Sequence, residues 1–127
     1  MKKYLKSTLV IVWMLMIFLS SSIPTPNIDP QRDKTLIEYF SDKSAHLLFF
    51  GILSYLIILF LTEFKIKYYK IAYLTILFCF FYGITDEWHQ GFTLGRGVSF
   101  YDLLFDVIGA MVVVYIFKLY YQNQKYQ

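Results

Sequence analysis

Three short stretches of this chain gather side chains that bind ligands or exchange protons: DKSAH (42–46), DEWHQ (86–90) and GRGVSFYDLLFD (95–106). Together they hold both histidines of the chain, His46 and His89. A carboxylate beside an imidazole is the usual equipment of general acid–base chemistry, so Glu87, His89, His46 and Asp106 are the candidate catalytic groups. Asp42, Lys43, Asp86, Gln90, Arg96, Ser99 and Asp102 supply charge and hydrogen bonds around them and are the candidate ligand-binding groups. On a helix, Asp86, His89 and Gln90 share a face, as do Glu87 and Gln90. Asp102 and Asp106 stand one turn apart, and Gly109 continues their face with room for a close-packed neighbour. Asp42 is four residues before His46, a spacing that lets it orient the imidazole or cap the helix start.

Other chemistries are less well served. Asp86-x-x-His89 resembles half of a metal-binding pattern, and Asp86, His89, His46, Asp102 and Asp106 could contribute ligands. The spacing alone closes no coordination set, so the sequence assigns no metal and no cofactor. Ser44 and Ser99 lie near histidine or acid, but no nucleophile elbow is present. Arg96 sits between two glycines, where the backbone can approach a ligand. Its guanidinium suits a carboxylate or phosphate, and equally the surrounding acids.

The elements that must position these groups are apolar. The chain of 127 residues is 57% hydrophobic and 17% charged, more apolar surface than a soluble domain of this size can hide. The sequence therefore predicts an all-α integral membrane four-helix bundle, read as one domain over 1–127. Helices are expected at about 5–23, 45–61, 71–90 and 101–119. The first segment can also be read as a signal peptide, with the basic start MKKYLK ahead of its apolar core. Pro24, Pro26 and Pro30 end it and predict a loop. The third uncharged run, from Ile71 to Thr85, is short for a ~30 Å hydrocarbon core unless its helix continues through DEWHQ. Cys79 lies in that run and reads as a small buried hydrophobe.

Lysines set the orientation. Lys2, Lys3, Lys6, Lys65, Lys67, Lys70, Lys118 and Lys125 fall on one side if all four segments span. The positive-inside rule then makes both termini cytoplasmic and the protein a multi-pass component of the cell membrane. Tyr68, Tyr69, Tyr120 and Tyr121 fit the inner aromatic belt and Trp88 the outer one. The three polar stretches meet at the outer face. Asp106 lies about 18 Å above the inner boundary, counting back from Lys118 at 1.5 Å per residue. An acid at that depth needs a partner, for which Arg96, His46, His89 and Lys43 are the candidates.

DKSAHLLFFGIL and YGITDEWHQGFTLGRGVSFYDLLFDVIGA, on a four-segment plan, resemble the VanZ-like family of small bacterial membrane proteins. The resemblance covers about Asp42 to Ala110. One departure is Leu94-Gly95, where the family pattern often has a proline shortly before the arginine. The resemblance implies an envelope protein, its founding member linked to resistance to the glycopeptide teicoplanin.

Three function classes fit these residues. The first is a binding or protective protein whose outer pocket takes an envelope lipid, a peptidoglycan precursor or a glycopeptide. The second is a membrane-embedded enzyme using acid–base or metal-assisted chemistry on such a ligand. The third is an oligomeric proton-coupled transporter titrating at Asp106, though four short helices leave little room for inverted repeats. The expected partners are the bilayer and an envelope ligand, with self-association open and no nucleic acid.

Overall fold

The computed structural model describes residues 2–25 and 35–125. Among these, the chain forms four α-helices and one short 3-10 turn: α1 (Lys2–Ser21), α2 (Leu36–Leu61), the turn Thr62–Phe64, α3 (Tyr68–Gln90) and α4 (Phe100–Lys125). All four helices are long and apolar enough to cross a membrane. Pro26 and Pro30 of the expected loop, with Asp29, Arg32, Asp33 and Lys34, lie outside the described residues.

Successive helices run in opposite directions, as the contacts at the two ends require. At one end Lys6 of α1 pairs with Glu63, and the Tyr68 hydroxyl at the start of α3 donates to the Val114 carbonyl of α4 at 2.9 Å. At the other end, Ser21 of α1 meets Asp86 of α3, and Lys43 of α2 meets Asp102 of α4. The start of α1 and the end of α4 therefore share one end of the bundle, and the polar stretches share the other.

Helix limits differ from the sequence expectation, most of all in α2. It begins at Leu36 rather than near Ala45. A capping box starts it: Glu38 N–H donates to Thr35 Oγ1 at 3.3 Å, and the Thr35 N–H donates to Glu38 Oε2 at 2.8 Å. Such a cap contributes about 1 kcal/mol. The charges of DKSAH thus ride on a helix already under way and do not mark its start. With 26 residues, α2 is about 39 Å long and outreaches the ~30 Å hydrocarbon core. At the other limits, α3 starts three residues early, at Tyr68, and α4 runs on to Lys125. Helix α1 occupies Lys2–Ser21 in place of 5–23. α3 does continue through DEWHQ to Gln90, which gives the short third segment its spanning length.

The helices are apolar on most sides, with the large outward-facing residues left for lipid: Leu15, Leu19, Leu48, Phe81 and Tyr115 are all exposed. Packing inside relies on small residues, as expected where lipid offers no hydrophobic drive between helices. Gly51 faces Gly109 across α2 and α4, and Ser54 Oγ donates to the Ala110 carbonyl at 3.2 Å. Phe50, Leu53, Ile57, Cys79 and Ala110 form the central core, with Ile17 from α1. Two side-chain hydrogen bonds hold α1 in place: Trp13 Nε1 donates to the Phe49 carbonyl at 2.9 Å and Tyr82 Oη to the Met14 carbonyl at 2.7 Å.

Candidate functional site

The buried polar groups collect just beyond the core. Lys43, His46, Asp86, Glu87, Gln90, Asp102 and Asp106 are all buried, and Asp106 is 0% exposed. Helix periodicity explains the selection. Lys43 and His46 lie three apart on α2, Asp86 and Gln90 four apart on α3, and Asp102 and Asp106 four apart on α4, so each pair points one way from its helix.

Two contacts join α2 to α4. Lys43 Nζ pairs with Asp102 Oδ1, and it also lies 5.1 Å from the centre of the Tyr39 ring. His46 Nδ1 is 2.9 Å from Asp106 Oδ1, while its Nε2 faces Asp102 Oδ1 at 3.9 Å. Of the partners considered for Asp106, the structure selects His46. The imidazole thus meets a carboxylate of α4, Asp106, because His46 turns into the bundle. Asp42 is half-buried and lines the cavities above. The second oxygen of Asp106, Oδ2, is buried without a hydrogen-bond partner among the described residues.

Helix α3 contributes a second set. Gln90 Nε2 donates to Asp86 Oδ2 at 2.8 Å and reaches Glu87 Oε1 at 3.5 Å. Glu87 Oε2 accepts the Ser99 backbone N–H at 2.7 Å, tying the end of α3 to the start of α4. Ser99 Oγ in turn accepts the Asp102 N–H at 3.3 Å, so its hydroxyl caps α4. His89 turns elsewhere. Its ring stacks on Phe18 of α1 with centroids 4.1 Å apart, and its Nε2 is 3.5 Å from Ser22 Oγ. The structure therefore brings Glu87, His46 and Asp106 into one cluster and sets His89 on the α1 side of α3. Trp88 points outward, packed edge-on against Phe92.

The end of α1 closes the site, a role that the sequence reading did not assign. Ser21 Oγ donates to Asp86 Oδ1 at 2.6 Å, and the Ser21 carbonyl accepts from Thr93 Oγ1 at 3.1 Å. Thr25 pairs with the α3–α4 loop through Leu94 and Gly95, where Gly95 takes φ +78. A Cβ at Gly95 would lie 2.3 Å from the Thr25 carbonyl oxygen, so the backbone there is fixed by close approach as well as by φ. Ser21 and Asp86 are 65 residues apart, and only the run of small polar residues after α1 hints at the contact.

Arg96 leaves this loop toward α1. It donates to the Ile23 carbonyl at 3.2 Å, the Ser20 carbonyl at 3.3 Å and Gln90 Oε1 at 3.3 Å. These acceptors are neutral. Among the described residues Arg96 has no carboxylate partner, so the surrounding acids do not claim it. A cleft of about 500 Å³ opens beside it, lined by Thr25, Glu38, Asp42, Gln90, Arg96 and Asp102 among others. A smaller cavity of about 80 Å³ lies deeper, between α1, α2 and α3, and reaches His46 and Asp86. The cluster can thus offer a fixed cation, hydrogen-bond donors and acceptors, and a buried acid–imidazole pair to one ligand.

Searches of curated proteins and of solved structures found no match. A family model described as VanZ/LLP1 matches residues 7–121, which takes in most of all four helices and every candidate site residue. This multi-pass membrane protein belongs to the VanZ/LLP1 family.

Proposed function

We propose that the protein is a binding component of the cell envelope. Its polar cluster faces outward at the surface of the cell membrane, with both termini in the cytoplasm. There it holds the anionic group of an envelope lipid, a peptidoglycan precursor or a glycopeptide, and through that contact contributes to glycopeptide tolerance, teicoplanin included.

The observation that carries this reading is the state of Arg96. Three neutral acceptors fix the guanidinium at the wall of an open cleft without neutralising its charge. A planar fork of donors so placed matches a phosphate or carboxylate in two-point contact. The cleft lies at helix ends, where a headgroup can enter while its acyl chains stay in the bilayer. Asp42, Glu38 and Gln90 along the same wall supply acceptors for hydroxyl or amide groups of the ligand.

The test is a binding screen of the purified protein against an envelope lipid extract, with wild type and Arg96→Ala compared by native mass spectrometry. Wild type is expected to retain an anionic species that Arg96→Ala binds at least tenfold more weakly, a loss of ~1.4 kcal/mol or more, in the range of charge-assisted hydrogen bonds. Equal retention by both proteins contradicts the assignment.

A further inference from the structure

Beneath the cleft the described residues carry an excess of negative charge. Asp86, Glu87, Asp102 and Asp106 are buried carboxyl groups, and Lys43 and Arg96 are the two cations touching the same network. If all are ionised, Lys43 offsets one of the four negative charges, while Arg96 reaches the network only through the neutral amide of Gln90. A buried charge needs a partner, and in a membrane the need is stronger.

The arrangement around His46 indicates what fills it. A histidine that ligates a metal characteristically gives its other ring nitrogen to a carboxylate, which fixes the tautomer and aims the free lone pair. Asp106 Oδ1 stands at that position, 2.9 Å from Nδ1. The opposite nitrogen, Nε2, is then the one facing Asp102. Ligand atoms of His46, Glu87 and Asp102, one from each of three helices, lie within 4.8 Å of one another. Shifts of about 1 Å bring such a set to the ~2.0–2.2 Å bonds of zinc. Asp106 adds a separate observation: its side chain is wholly buried, its Oδ2 has no partner, and that oxygen faces α3 at Gly83, one turn before Glu87.

We propose that His46, Glu87 and Asp102 form a binding site for a divalent transition cation of the zinc or manganese class, with Asp106 orienting the histidine from behind. One nitrogen and two carboxylate donors suit these ions better than calcium or magnesium, which take oxygen alone. Their charge offsets most of the buried excess. The cation shares Asp102 with Lys43. Both cavities border the site, the outer cleft at Asp102 and the inner one at His46, so an ion has a route from outside. The site is independent of the Arg96 reading, since it is measured with metal alone.

The full chain, purified in detergent and stripped with chelator, is incubated with zinc chloride or manganese chloride, desalted and assayed for metal. Wild type is expected to keep about one ion per chain of at least one metal. His46→Gln and Glu87→Gln, each checked for a single monodisperse species, are expected to bind at least tenfold more weakly, and Asp106→Asn roughly 10- to 100-fold more weakly. Wild type that retains neither metal overturns the proposal and leaves protons to neutralise the cluster. Folded His46→Gln that binds as tightly as wild type overturns it as well. The wild-type result decides even where a variant does not fold.

Discussion

Lys43→Met is expected to destabilise the protein by about 3–5 kcal/mol, the typical cost of removing one partner of a buried ion pair. Lys43 pairs with Asp102, and both side chains are more than nine-tenths buried. Methionine fills similar volume but leaves Asp102 beside Glu87 and Asp106 without its ammonium. The cost is therefore electrostatic, with little contribution from a cavity. A double change, Lys43→Met with Asp102→Leu, removes both charges and is expected to recover most of the loss, because apolar pairs often replace buried ion pairs without penalty. Reversible unfolding in mixed micelles measures both. If Lys43→Met alone costs under about 1 kcal/mol, the pair is not the buried bridge described.

Gly109→Ala is expected to cost about 1–3 kcal/mol, a large penalty for adding one methyl group. The new Cβ would lie 2.3 Å from the Leu47 carbonyl oxygen and 3.0 Å from its carbon, both backbone atoms of α2. No side chain can rotate away, so α2 and α4 must separate. Their separation also stretches His46–Asp106, which is built one turn away on the same two helices. Gly83→Ala provides the contrast. Its Cβ would meet Leu103 Cδ1 at 2.8 Å and Asp106 Oδ2 at 3.1 Å, side-chain atoms that can give more readily than backbone, so the change is expected to be the milder of the two. Thermal unfolding in detergent separates the cases, and equal midpoints for wild type and Gly109→Ala would show that the helices do not approach so closely.

Much of the plan is legible in the sequence because membrane helices carry strong signals. Apolar runs set off by charged residues locate the four spans, and the deficit of the third run points to DEWHQ as its last turns. Three polar stretches at alternate segment ends must meet if all segments cross. The early start of α2 escapes that reading because it was bounded by charge. Its own signal is local, Thr35 followed three residues later by Glu38, a capping box well ahead of Lys43 and His46. The partner of His46 escapes for a different reason. Asp42 and Asp106 are both plausible by residue type, and only the packing of α2 on α4 decides between them. His89 shows the limit of face arithmetic. Spacing sets it on the Asp86 side of α3, and both do turn to the end of α1, Asp86 to Ser21 and His89 to Phe18 and Ser22; what spacing does not show is that this face lies apart from the His46–Asp106 pair. Arg96 was legible as a ligand-binding type; its neutral acceptors at and just after the end of α1, the Ser20 and Ile23 carbonyls, were not, since they lie more than seventy residues away.

The outward-facing cleft is the claim on which the rest depends, and a cysteine at its rim tests it. Gly97 is the place for it: it lines the cleft, has no atom within 4 Å of an added Cβ, and avoids the strained backbone of Gly95. The native Cys79 is wholly buried, so background labelling is low. With Gly97→Cys, a membrane-impermeant maleimide added to intact cells is expected to label the protein from outside, without lysis. Labelling that occurs only after the cells are opened would place the cleft on the cytoplasmic side and contradict the account.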